Sequence, residues 1–66
     1  MSCKYPDIEV ELTTRDSTKM IAIVCSALDK NGIPMEEVEE CRVEAFLAGN
    51  DEDELIDVIK KWVSIK

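Results

Sequence analysis

Residues 7–13, "DIEVELT", alternate strictly, with Ile8, Val10 and Leu12 on one side and Glu9, Glu11 and Thr13 on the other. A period of two sends successive side chains to opposite faces, so this segment is expected to form a strand with one buried face. The period then changes. In "TKMIAIVCSALDKNG" the apolar positions Met20, Ile21, Ile23, Val24, Ala27 and Leu28 form a wide helical arc, preceded by Asp16 or Ser17 as N-cap and closed by Asn31-Gly32. An arc of that width touches two surfaces, which makes this helix the expected centre of the fold.

Ile33-Pro34 restarts the chain, with proline expected at the first helical position of a second helix running to about residue 48. Its inward set is read as Met35, Val38, Cys41, Ala45 and Ala48, with Phe46 and Leu47 adding apolar surface toward its end. Gly49 serves as the next stop. A third helix follows from about Asp51 to Lys61, carrying Leu55, Ile56, Ile59, Trp62 and Val63 at spacings of three and four. In "WVSIK" the alternation returns at Val63 and Ile65, which predicts a short closing strand.

The element order is therefore β-α-α-α-β. Two isolated strands are marginal in water, so the expectation is a small α+β domain with two short strands packed on three helices. If successive elements alternate in direction the strands end parallel, although the sequence leaves the sense of pairing open. All 66 residues are assigned to one domain, 1–66, with 1–6 as a flexible lead. A chain of this size buries only about 60% of the surface exposed when unfolded, so its core is small. The composition is nonetheless that of an ordered domain, with 45% hydrophobic residues, two glycines and two prolines.

No apolar run approaches the roughly 18 to 20 residues that cross a bilayer, and the N-terminal residues lack the basic-then-apolar order of a signal peptide. A cytoplasmic location is expected. Cys3, Cys25 and Cys41 are odd in number and lack a CxxC spacing, so they read as free thiols. A Cys25–Cys41 disulfide would require two helices to align them, and a reducing compartment disfavours it.

Charge changes the functional picture. The net charge is −7, and residues 35–57 hold ten acids against Arg42 alone, so the rest of the chain is net positive. Such a chain is unsuited to direct binding of nucleic acid or an anionic membrane; a basic protein surface is the partner its electrostatics favour. The candidate docking face comprises Glu36, Glu37, Glu40, Glu44, Asp51, Glu52 and Asp53. Within it, Glu36, Glu40 and Glu44 follow i, i+4 spacing, where each like-charged pair costs about 0.2 to 0.5 kcal/mol. The plain alternative is a solvated face that keeps the protein soluble.

Catalytic chemistry has little to work with. The chain has no histidine, which removes the usual general base and the commonest transition-metal ligand, and it has no phosphate-binding glycine loop. No enzymatic activity and no cofactor are expected. The acidic run Asp51–Glu54 fails as a calcium loop, because Leu55 and Ile56 fall where a ligand and a glycine are needed. A weak two-carboxylate Mg²⁺ site stays open as a reading. The run is better explained by capping at Asn50 or Asp51, with acids in the first turn complementing the helix dipole and Lys60 and Lys61 at the other end.

Trp62 is read as core or sheet-face packing. Two further readings belong to the set: a homodimer formed by pairing the Ile8–Leu12 edge with a second copy, and a nucleic-acid mimic whose spaced carboxylates occupy a basic groove.

Finally, "YPDIEVEL", "ALDKNGIPMEE", "EAFLAGN" and "WVSI" together resemble a group of small uncharacterised proteins of bacteria and their phages. Those run from an N-terminal strand through acidic helices to a closing Trp-Val strand. The resemblance implies a small intracellular domain associated with phages or mobile elements, and it brings no activity or functional residues with it.

Overall fold

The structure, a computed structural model, describes residues 3–66. Strand β1 (Tyr5–Val10) is followed by helices α1 (Ser17–Lys30), α2 (Met35–Leu47) and α3 (Glu52–Trp62) and by strand β2 (Val63–Ile65). The domain is thus α+β in the expected order. The strands pair in parallel. A parallel pair needs a crossover of a dozen or more residues, and here the three helices together supply it.

Local chemistry places each helix. Asp16 is the N-cap of α1, and its Oδ1 accepts the Thr18 N–H at 3.0 Å, satisfying one of the donors left unpaired at a helix start. At the other end Asn31 closes the helix, its side-chain amide donating to the Ala27 carbonyl at 2.8 Å. Gly32 then takes φ 75°, the left-handed backbone that glycine adopts without steric penalty. Pro34 stands one place before α2, at its N-cap, so the helix begins at Met35. Asp51 caps α3, its Oδ1 accepting the Asp53 N–H at 2.9 Å, and Glu52, Asp53 and Glu54 fill the first turn with Lys60 and Lys61 in the last. Both charge placements agree with the helix dipole.

α1 packs under β1, α3 under β2, and α2 packs chiefly on α1 and α3. The core between them is built from Ile8, Val10, Met20, Ile21, Val24, Leu28, Cys41, Ala45, Leu55, Ile59, Trp62 and Val63. No buried side-chain N or O among the described residues lacks a partner. α3 runs into β2 without a connecting residue, so Trp62 ends the helix and Val63, fully buried, begins the strand.

Two boundaries differ from expectation. The first strand occupies Tyr5–Val10 rather than 7–13. β2 offers three residues, and its ladder ends where the Lys66 N–H donates to the Val10 carbonyl at 2.8 Å, so Glu11 to Thr13 have no strand opposite them. At the other end the ladder is irregular. Tyr5 pairs with Val63 and Glu9 with Ser64, so Pro6–Ile8 bulge out of it. Proline has no N–H to give a ladder, and the Pro6 carbonyl accepts instead from the Ser64 hydroxyl at 2.9 Å. Of the lead expected to be flexible, Met1 and Ser2 lie outside the described residues, while Tyr5 and Pro6 belong to β1.

The second difference concerns α2. Met35, expected in its inward set, is exposed, and so are Phe46 and Leu47, expected to add apolar surface toward its end. The buried line of α2 is Cys41 and Ala45, extended by Ala48 just past its end. At about 100° per residue, Phe46 and Leu47 lie about 100° and about 200° around the helix from Ala45, off that line. Small side chains at i, i+4 and i+7 let α2 approach α1 and α3 closely, so the large apolar residues are left outside.

Truncating Leu55 to alanine should therefore lower stability by about 2 to 5 kcal/mol, a large part of what a domain of this size has, whereas Leu47→Ala should stay within about 0.5 kcal/mol. Urea titrations of the two variants, followed by circular dichroism, check this ordering.

Candidate functional site

The seven acids expected to form a docking face separate into two groups. Glu37 and Glu44, about two turns apart on one side of α2, are engaged within the fold. Glu37 Oε1 accepts the Tyr5 O–H and lies 2.7 Å from the Lys4 ammonium. Glu44 Oε2 accepts the Trp62 indole N–H at 2.6 Å. Tyr5 and Trp62 stack with ring centroids 6.2 Å apart and planes 27° from parallel, and Lys4 Nζ lies 4.6 Å from the centre of the Trp62 ring. The two aromatics sit near opposite ends of the chain, and α2 fastens them with one carboxylate each. This clasp is where α2 meets the strand ends.

Its electrostatics follow from the contacts. The hydrogen bond to Lys4, supported by that from Tyr5, holds the Glu37 carboxyl below its ordinary 4.5. The same carboxylate raises Lys4 above 10.5 and Tyr5 above 10.0 by hydrogen bonding. Each shift favours the ionic and bonding state seen in the fold.

The other five acids face solvent. Glu36 and Glu40 lie on the outer side of α2, and Asp51, Glu52 and Asp53 lie at the start of α3. Among the described residues none of the five forms an ion pair. Asp51 has a local role as cap, accepting from Asp53. Asp51–Glu54 therefore form a capped, dipole-matched first turn, and no group of three or more possible metal ligands occurs among the described residues.

The same outer surface carries large apolar side chains, of which Met35 was expected in the inward set. Met35 (79% exposed), Val43 (54%), Phe46 (58%) and Leu47 (79%) are the large apolar residues left exposed among the described residues, and all four belong to α2. Val43, Phe46 and Leu47 are spaced i, i+3 and i+4, so they form one cluster on the last turns of the helix. Glu36, Glu39 and Glu40 precede that cluster, and Asp51, Glu52 and Asp53 follow it. Arg42, the sole base of this region, pairs with Glu39. The signal that locates this face is the line Cys41, Ala45, Ala48: once small residues occupy the buried stripe, the larger ones on other bearings must face out.

A concavity of about 560 Å³ lies between the end of β1 and the flank of α1, lined by Glu9, Val10, Glu11, Ala22, Ile23 and Lys30 among others. Its polar lining also includes Ser26 and Asn31, and among the described residues Lys30 forms no ion pair with Glu9 or Glu11. Glu9 and Glu11, both exposed, flank Val10 there. An antiparallel pairing of two copies centred on Val10 would set Glu9 against Glu11, a like-charge arrangement that discourages edge-to-edge association.

Cys25 on α1 and Cys41 on α2 are free thiols, as is Cys3. Burial raises both helix thiols, Cys41 to about 12 with Cys25 nearby as a further cause. No family model, curated protein or solved structure matches the chain. The functional reading consequently rests on surface chemistry.

Two outcomes follow. The thiolate is the reactive form of cysteine, so buried Cys41 should react more slowly than partly buried Cys25 with an alkylating reagent near neutral pH, as peptide mass spectrometry over a time course would show. Glu37, whose carboxyl is depressed, stabilises the clasp above pH 4.5 and loses that effect as pH falls through its lowered value. Tyr5, which is raised, contributes below pH 10.0 and loses its effect as pH rises beyond it. Trp62 fluorescence should accordingly stay flat between about pH 5 and 9 and change on either side, with Glu37→Gln removing most of the acid-side change.

Proposed function

We propose that this protein is a non-enzymatic interaction module that docks a basic protein partner through the outward face of α2. The observation that carries the reading is that Met35, Val43, Phe46 and Leu47 are exposed together on one helix, while the other large apolar side chains among the described residues are buried or partly buried. Contiguous exposed apolar surface rimmed by polar groups marks an interaction site. The rim here is acidic, formed by Glu36, Glu40, Asp51, Glu52 and Asp53, so it complements lysine and arginine and would speed association with a basic surface. Acid around the patch also works against an anionic bilayer.

The docking reading is preferred over imitation of a phosphate backbone for a specific reason. A mimic needs a continuous acidic stripe, whereas Val43, Phe46 and Leu47 interrupt the acids between Glu40 and Asp51, and Glu44 is committed to Trp62.

Photo-crosslinking in extract of the source cells tests the proposal, with the photoreactive group at position 46. A basic protein should be captured, and capture should fall at least about tenfold with Val43→Ser combined with Leu47→Ser, and also with Glu36→Gln combined with Glu40→Gln. Glu9→Gln combined with Glu11→Gln, at the end of β1 and just past it, should leave it intact. Equal capture by all three variants would contradict the proposal.

A further inference from the structure

Resting on that docking reading, we infer that the occupant of the α2 face is a single cationic amphipathic helix, with an apolar centre and lysine or arginine toward both ends. Three features lead there. The face is the convex side of a helix, carrying Met35, Val43, Phe46 and Leu47 over 13 residues, about 18 Å at 1.5 Å per residue. Side chains at these spacings form ridges that interdigitate with those of another helix. An extended strand would instead require unpaired backbone donors and acceptors, which a helix interior does not offer.

The second feature is the charge sequence along the face. It reads acid, apolar, acid: Glu36, Glu39 and Glu40, then Val43, Phe46 and Leu47, then Asp51, Glu52 and Asp53. Arg42 holds Glu39, and Glu36 and Glu40 stay without an ion pair among the described residues. The complement is basic, apolar, basic.

The third feature decides against a second copy. A two-fold pairing places the same surface on both sides. If antiparallel helices match Val43 to Leu47 of the second copy, the Glu36–Glu40 end of each meets the Asp51–Glu54 end of the other. A parallel pairing sets each acid against itself. Either arrangement opposes like charges at both ends of the apolar cluster, between chains of net charge −7. Only a partner of opposite charge covers the apolar cluster and neutralises its rim together.

The test uses a synthetic helical peptide of about 14 residues, with leucines spaced three and four apart on one face and lysines at both ends. Two controls have the same net charge: a scramble spreading the leucines around the helix, and a proline-interrupted version that stays extended. Binding to the whole protein is followed by amide chemical shifts. The helical peptide should shift residues 35–53 and bind at least about tenfold more tightly than either control, an advantage of about 1.4 kcal/mol. Phe46→Ala combined with Leu47→Ala, at exposed positions where folding is unaffected, should remove that advantage. If the extended control binds the same residues equally well, the helical occupant is overturned while the docking face stands. If no peptide shifts α2, both readings fail. Sedimentation showing a dimer whose α2 amides are protected would identify a second copy as the occupant and overturn the inference.

Discussion

The width of a two-stranded sheet constrains everything else in this fold. Neighbouring strands lie about 4.8 Å apart, whereas packed helices need about 8 to 10 Å between axes. β1 and β2 together therefore cannot back three helices side by side. α1 takes the place under β1, α3 the place under β2, and α2 packs chiefly on those two helices. A helix in that position has one narrow side to bury. It does so with small residues, Cys41 and Ala45 followed by Ala48, and turns the rest of its circumference to solvent. The exposed apolar cluster is thus a consequence of the topology.

The same position explains the division of labour among the acids. An outer helix needs something to fix its rotation and its register, and small residues grip weakly. Glu37 and Glu44 supply that hold by reaching Tyr5 and Trp62, which the parallel pairing of β1 and β2 has already stacked together. With α2 locked in rotation, Val43, Phe46 and Leu47 are held outward. The acids that hold the helix and the acids that rim its apolar cluster are different residues, so the proposed docking would leave the clasp closed. Lys4, above the Trp62 ring, also offsets the carboxylate that Glu37 brings to that end of the fold.

Much of this was legible in the residues themselves. Alternation at Ile8 and Val10, the caps read at Asp16 or Ser17 and at Asn50 or Asp51, the glycine stop at Gly32 with the restart at Pro34, and the return of alternation at Val63 marked all five elements and their order. What local patterns do not contain is how many surfaces are available to cover an apolar side chain. Met35 read as inward because a hydrophobic residue on a helix usually is, and only the two-stranded sheet of the described residues shows that nothing is there to receive it or the neighbouring Phe46 and Leu47. Tyr5 likewise gave no local sign of meeting Trp62, 57 positions later, since that contact depends on the parallel closure of the chain. The acidic surface was recognised by composition, but its division into Glu37 and Glu44 within the clasp and Glu36 and Glu40 outside it required the helix rotation.

The claim on which the functional reading depends is that the outer face of α2 is uncovered in the isolated protein. Hydroxyl-radical footprinting at low protein concentration measures it directly, because methionine and phenylalanine side chains oxidise according to their exposure. Met35 and Phe46 should label rapidly while Met20, 2% exposed in the core, stays protected. Protection of Met35 and Phe46 to the level of Met20 would mean that the face is covered within the protein itself, and would contradict the account.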